Sequence, residues 1–324
     1  APWPRSWVSR PPRLPDHVPA EHRFEGRVAI VTGAGRGIGR AYARLLAERG
    51  ASVVVNDLGA GIDGTGADGQ LASRVVDDIT GAGGSAIADG SDVSTPDGAQ
   101  ALVAAAVEAF GRVDALVNNA GIVRWAGFPD ADEENLASHL AVHVGGSFHT
   151  TRAAWPHFVE RGYGRVVMTT SSGMFGLPDN TSYATAKAAV IGLTRSLALA
   201  GAGHGVKVNL IAPAAMTRMA GAPAGEGDPQ MAPDLVAPMA AFLAHEACPV
   251  SGEIYAAGAG RFARIFVAST DGYVHSGAAP TIEDIAGHWS EVNDERGYFV
   301  PADLMSWSAA FLAHLRSDDP SAAR

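Results

Sequence analysis

The chain has 324 residues, with 34 acidic against 24 basic side chains and a formal charge of −10. No basic run is interleaved with aromatics, which argues against nucleic acid as a partner, and the single cysteine, Cys248, excludes an internal disulfide or a cysteine-built metal cluster. No apolar run reaches the roughly 18 residues of a spanning helix, so the expectation is a soluble, cytoplasmic protein that inserts in no membrane, binds no metal and holds Cys248 as a small buried hydrophobe.

Residues 1–23 open with APWPRSWVSRPPRLPDHVP, rich in Pro and Arg, and read as an extended arm rather than a signal peptide. Val28–Val31 reads as a short buried strand. Apolar residues at Ile38, Ala41, Tyr42, Leu45 and Leu46 then predict a helix that stops at Gly50. ASVVVND is a second strand ending in Asp57, followed by the glycine-rich loop LGAGIDGTGADG and a helix from about Gln70 to Thr80. GSAIADGSDV predicts a third strand, Pro96–Phe110 a helix, RVDALVNNAG a strand, and ADEENLASHLAVHVGGSFHTTRAAW one long helix. GRVVMTT, YATAKAAVIGLTRSLALAG and GVKVNLIAP continue the alternation as strand, helix and strand. Strands alternating with helices imply right-handed crossovers, hence an α/β fold with a doubly wound parallel sheet. Past residue 260 the pattern changes. RFARIFVAST predicts one more strand and TIEDIAGHWSEV a short helix capped by Thr281, so residues 261–324 are expected to form a C-terminal appendage packed on a domain spanning 24–260.

The turn TGAGRGIGR, Thr32–Arg40, places four glycines within seven residues between a strand and a helix. There the first N–H groups of the helix lack partners and the dipole favours negative charge, so a loop without side chains lets a phosphate approach. Asp57 lies 24 positions beyond Gly33, close to where an acid accepts the ribose hydroxyls of an adenosine and repels a 2′-phosphate, favouring NAD over NADP. Arg36 argues the other way, because it can pair with such a phosphate. In YATAK, Tyr183 and Lys187 lie one helical turn apart. A phenol becomes a usable base near neutrality if its anion gains about 4 kcal/mol, roughly what an ammonium about 4 Å away supplies at an effective dielectric of about 20.

Gly33, Gly37 and Gly39 in a GxxxGxG pattern, then Asp57, NNAG at Asn118–Gly121, TTSS after the next strand and YATAK occur in that order. Together they resemble the classical short-chain dehydrogenase/reductase family over about residues 26–260. The resemblance implies a Rossmann-type enzyme that uses NAD to interconvert a secondary alcohol and a ketone. In it Tyr183 is the acid/base, Lys187 holds the ribose and lowers the tyrosine pKa, and a serine bonds the substrate oxygen. Counting along the strand points to Ser171 for that role, whereas counting back the family's usual thirteen positions from Tyr183 lands on Thr170. Gly33, Arg36, Gly37, Ile38, Gly39, Asp57, Val93, Asn119, Ala120, Pro213, Tyr183 and Lys187 are implied as cofactor contacts. Asn118 and Gly121 are implied along the riboses and Asp92 at the adenine edge. His143, in VHVGGSF, stands where the family often has a relay asparagine, and is carried as a catalytic candidate or as a buried, satisfied histidine.

RAYA, VVVNDLG, VHVGGSFHTTRAAW, HEAC and the GAG after SGEIY are further similar to (3R)-hydroxyacyl-CoA dehydrogenase domains of the peroxisomal multifunctional type 2 kind. This likeness implies a small-molecule substrate, with an acyl-CoA or similar thioester foremost. A hydroxysteroid or other bulky secondary alcohol is the alternative, and a non-catalytic nucleotide-binding scaffold the remote one. Arg124, Arg218 and Arg261 are the cations expected at the mouth for CoA phosphates, and Ala212–Pro233 is expected to close over the substrate. Ala184, Ala188 and Gly192 form a small-residue stripe, read either as a homodimer or homotetramer contact or as packing on the chain's own sheet.

Overall fold

The computed structural model describes residues 21–220, 228–277 and 279–317. Most of the expected arm, and residues 221–227 of the expected closing segment, lie outside that range. β1 (Val28–Thr32) is buried at every position because both faces of the strand are covered. β2 (Ser52–Asn56), β3 (Ser85–Asp89), β4 (Ala115–Asn118), β5 (Gly164–Thr169), β6 (Val206–Pro213) and β7 (Ile254–Gly258) complete the parallel part of an eight-stranded sheet in the order β3-β2-β1-β4-β5-β6-β7-β8. β8 (Arg261–Ile265) pairs antiparallel with β7. The tight turn between them has positive φ at Ala259 (50°) and Gly260 (72°), the hand that suits a two-residue hairpin. The sheet therefore crosses the expected boundary at residue 260.

Alternation along the strands sends side chains to two apolar layers. Val31, Val55, Val117 and Ile211 pack with α1 (Gly37–Glu48), α2 (Gln70–Gly81) and α7 (Ala237–Ala244). Ile30, Val54, Leu116, Met168 and Leu210 pack on the other face with α3 (Pro96–Phe110), α5 (Gly146–Arg161) and α6 (Thr181–Gly201). Cys248 is buried in the first layer. The expected long helix is interrupted: α4 (Glu133–His139) passes into a π-turn over Leu140–Gly145 before α5, which then runs on through Pro156. Beyond β8 come α8 (Ile282–Gly287), α9 (Trp289–Val292), α10 (Leu304–Phe311) and α11 (His314–Ser317). Arg195 of α6 ties this tail to the body through Pro301 O (2.7 Å) and Ala302 O (3.0 Å).

The winding reverses between β1 and β4, and in open sheets of this kind ligands enter at the carboxyl ends of the strands at that point. The loops after β1, β2, β3 and β4 and the end of β6 carry the expected cofactor residues, so the topology brings Gly33, Asp57, Asp92, Ala120 and Pro213 to one edge of the sheet.

Candidate active site

At the reversal the glycine loop is held by the chain itself. Asn119 Nδ2 donates to Thr32 O (2.9 Å) and Gly33 O (3.1 Å), while the N–H groups of Asn119 and Ala120 both donate to Thr32 Oγ1 (3.0 Å). A Cβ on Gly33 would stand 2.8 Å from Ala120 Cα, and one on Gly39 2.2 Å from Gly33 O. These two glycines are thus required by chain-to-chain approach, whatever ligand the turn admits. Gly37 has φ +53° and only Thr217 near its missing side chain. Arg36, at the N-cap of α1, makes no side-chain cap, so it leaves the first N–H groups of the helix free for an anion. Ile38, partly buried, anchors the first turn of α1 in the apolar layer.

Asp57 accepts from Gly35 N with one carboxylate oxygen (2.8 Å) and from Gly59 N with the other (2.7 Å). Each oxygen keeps lone pairs for further donors. Arg36 Nη2 donates to Ala60 O (2.6 Å), and its Nε is buried without a partner. Arg218 belongs to this end of the cleft rather than to a substrate rim: burial lowers its pKa, the Arg36 charge adds to that, and Asp57 opposes it. Asp92 turns the chain into α3, its carboxylate accepting from Ser94 N (2.9 Å), and Val93 is buried beneath Gly146. Asn118 is committed elsewhere. It is buried, accepts from Thr150 Oγ1 (2.7 Å) and donates to Thr151 Oγ1 (3.1 Å), joining β4 to α5 instead of lining a ribose.

Asn180 caps α6 by accepting from Tyr183 N (3.2 Å), which sets Tyr183 in the first turn and Lys187 one turn on. Lys187 Nζ donates to Thr169 O (2.9 Å) and lies 5.7 Å from the centroid of the Tyr183 ring. Thr170 uses its hydroxyl on Lys187 O (2.6 Å) and is buried, whereas the Ser171 side chain accepts from Gly173 N (3.1 Å). Burial pushes the Tyr183 phenol above its ordinary value, with the nearby Ser171 hydroxyl opposing, and pushes Lys187 down to about 7. Desolvation sets the direction of both shifts.

His143 is buried, and its Nε2 lies 2.9 Å from Ile122 O while its Nδ1 has no partner. A Cβ on Gly121 would meet the His143 ring at 2.5 Å, so Gly121 makes room for the histidine. His139, which none of the sequence motifs singles out, lies beside it and beside Tyr183; its four-residue spacing from His143 is the signal that points to it. Arg124 is engaged by Glu134 (3.2 Å) and Ser138 Oγ (3.3 Å), and Arg261 is exposed on β8. Ala188 and Gly192 are exposed and nothing stands near Gly192, so the stripe faces outward rather than onto the chain's own sheet. Among the described residues no helix is long and apolar enough to cross a membrane, and no cluster of three or more His, Cys, Asp or Glu could hold a metal.

A glycine-loop turn at the reversal of a doubly wound sheet, with serine, tyrosine and lysine side chains converging beside it, defines a Rossmann-type oxidoreductase. Residues 27–225 match the family model described as short chain dehydrogenase, and the chain belongs to that family. It is 43% identical over 275 residues to a protein of Mycobacterium tuberculosis named as a short-chain type dehydrogenase/reductase, covering 84% of this chain and 96% of that one. It is also 43% identical over 282 residues to peroxisomal multifunctional enzyme type 2 of Drosophila melanogaster, covering 84% of this chain but only 46% of that protein. Among solved structures, a 7α-hydroxysteroid dehydrogenase complexed with NADH and 7-oxo glycochenodeoxycholic acid superposes with a TM-score of 0.65 at 32% identity, covering 74% of this chain and 95% of that one.

Proposed function

We propose that the protein is an NAD-dependent dehydrogenase that interconverts a secondary alcohol and a ketone, with a (3R)-hydroxyacyl-CoA or similar thioester as substrate. The observation that carries the proposal is the grouping of Ser171 and Tyr183 about Gly173, with the Lys187 ammonium 5.7 Å from the Tyr183 ring, in a chain whose α1 begins without a side-chain cap. The cleft fits a dinucleotide, because a Cβ-free turn, free helix N–H groups and the part-used acceptor Asp57 follow one another along one edge. Bound there, the nicotinamide supplies a hydride acceptor or donor for the carbinol carbon. Gly37 and the α1 N-terminus would hold the diphosphate, Asp57 the adenosine ribose, and Lys187 the second ribose.

Tyr183 moves the alcohol proton at its phenolic oxygen, and Ser171 bonds the same substrate oxygen, so the reacting C–O group is fixed from two sides. Lys187, fixed on Thr169 O, titrates near neutrality, and in its charged form it favours the phenolate. The thioester assignment is supported by the 43% identity to the Drosophila enzyme. The steroid-complexed structure supports the second reading, a bulky secondary alcohol. The outward stripe Ala184–Ala188–Gly192 supports a homodimer or homotetramer. The single buried cysteine is compatible with the cytoplasm as compartment.

The test is kcat/KM for a (3R)-hydroxyacyl-CoA and its pantetheine-truncated analogue, each with NAD and with NADP. Loss of rate on truncation supports the CoA reading, and indifference sinks it in favour of the bulky alcohol. NAD should be preferred at least about tenfold, on the order of 1.4 kcal/mol. Equal use of both cofactors would show that Arg36 outweighs Asp57. Absence of turnover with every alcohol would leave a nucleotide-binding scaffold.

A further inference from the structure

His139 and His143 are fully buried at 0% and 2% exposure, and their rings stack 6.0 Å apart within 12° of parallel. Both meet the Tyr183 ring nearly at right angles, at 6.2 Å and 79° for His139 and at 5.4 Å and 85° for His143. The π-turn begins immediately after His139, and such turns recur at functional sites. Both rings also grip the chain after β4. His139 Nε2 accepts from Arg124 N (3.2 Å) and its Nδ1–H donates to Asn135 O (2.8 Å), while Asn135 Nδ2 donates to Arg124 O (3.0 Å). His143 Nε2 contacts the Ile122 peptide, 2.9 Å from its O and 3.3 Å from its N. The helix thus holds Arg124 by both its polar backbone atoms and Ile122 by its peptide. The roles of both His139 nitrogens are fixed in the neutral form, since an added proton on Nε2 would set a donor against the Arg124 N–H.

We propose that His139, together with His143, is a positioning residue for Tyr183: the two stacked rings wall off the phenol, and the same rings clamp Ile122 and Arg124 to that wall. The proposal rests on the acid/base role of Tyr183. Tyr183 is faced by His139 from α4, by His143 from the π-turn, by Ser171 from the loop after β5 and by Lys187 from its own helix. Arg124 and Lys187 place positive charge near His139, and both oppose its protonation. Water excluded by the wall cannot solvate the phenolate, so opening the wall favours the anion.

The test titrates Tyr183 by its ultraviolet phenolate absorbance in the full chain without added cofactor, isolating its signal by subtraction of the Tyr183→Phe protein. In His139→Ala the midpoint should fall by at least about half a pH unit, whereas in His139→Phe, which keeps the ring, it should stay within about 0.2. His139→Phe frees the Arg124 peptide, so in steady-state assays KM for the alcohol should rise about fivefold or more while kcat changes less than about threefold. An unmoved midpoint in a folded His139→Ala protein, or the same fall in His139→Phe, overturns the proposal. If His139→Ala does not fold, His139→Ser carries the same expectation. The titration needs no turnover, so a Tyr183→Phe enzyme with normal rates overturns the acid/base reading separately.

Discussion

Residues 24–258 and 261–315 use apolar side chains in opposite ways. In the first region two layers of side chains disappear against the faces of one sheet. In the second no described residue is buried, and Ile282, Trp289, Leu304 and Met305 are 83%, 60%, 71% and 74% exposed. The helix ends differ to match. α8 and α10 both begin with a reciprocal capping box, Thr281 with Asp284 and Asp303 with Ser306, whereas α1 begins with no side-chain cap at all. Packing holds α1 well enough that its N-terminus stays open for a ligand. α8 and α10, which bury little, start on such local signals.

The comparison is tested most severely at Tyr183, where loss of one oxygen in the body should matter more than any single change in the tail. Tyr183→Phe should lower kcat at least about 100-fold with NAD binding, read by fluorescence titration, nearly unchanged. A near-normal rate would refute the mechanism. Next in size is a core truncation set against a tail truncation. Leu116→Ala should lose about 3 kcal/mol in denaturant unfolding and Leu304→Ala no more than about 0.5. A loss at Leu304 as large as that at Leu116 would show that the tail face is covered in the assembled protein.

Lys187 offers a pH-dependent test of burial in the body. Its folded pKa, about 7, lies below the ordinary 10.5, so the unfolded chain binds a proton that the native state lacks between those values. Its contribution to stability is therefore present in full above the unfolded value and is lost as pH falls toward 7, at up to about tenfold in the folding equilibrium per pH unit. Wild type measured against Lys187→Met at pH 7 and 9 should show this rise, and a flat difference would mean that the lysine stays charged when folded. The smallest effect belongs to the tail. Thr281→Ala should cost about 1 kcal/mol, seen as faster hydrogen exchange in α8 alone, with no change in the body.

Elements with local punctuation were legible in the sequence. α3 runs from Pro96 to Phe110 as expected because Thr95 caps it and Gly111 ends it at φ 74°. The third strand was read too long, since Asp89 turns its carboxylate onto Ser91 N and Asn56 Nδ2 and stops the ladder. The order of the site motifs was readable, but their partners were not. Thr170 and Ser171 look alike as neighbours and part only when Lys187 O takes one hydroxyl. The four-residue spacing of His139 and His143 was legible, whereas the π-turn that sets how their rings stack has no periodic signature. The pairing of Lys187 with Tyr183 was legible as spacing, while the burial that shifts both groups depends on residues far away in sequence.

The contact of Gly33 with Ala120 and of Gly39 with Gly33 O leaves no room for a side chain of any kind. A position that tolerates no variation works as a fixed datum for everything measured from it. Between Ser171, which in the proposed mechanism faces the substrate oxygen, and Asn180, which caps the helix carrying Tyr183, the loop after β5 carries no contact of that seam, and neither does the described chain beyond Pro213. Diversification of such a scaffold toward new alcohols is therefore expected in residues 172–179 and beyond Pro213, while the seam between β1 and β4 stays as it is.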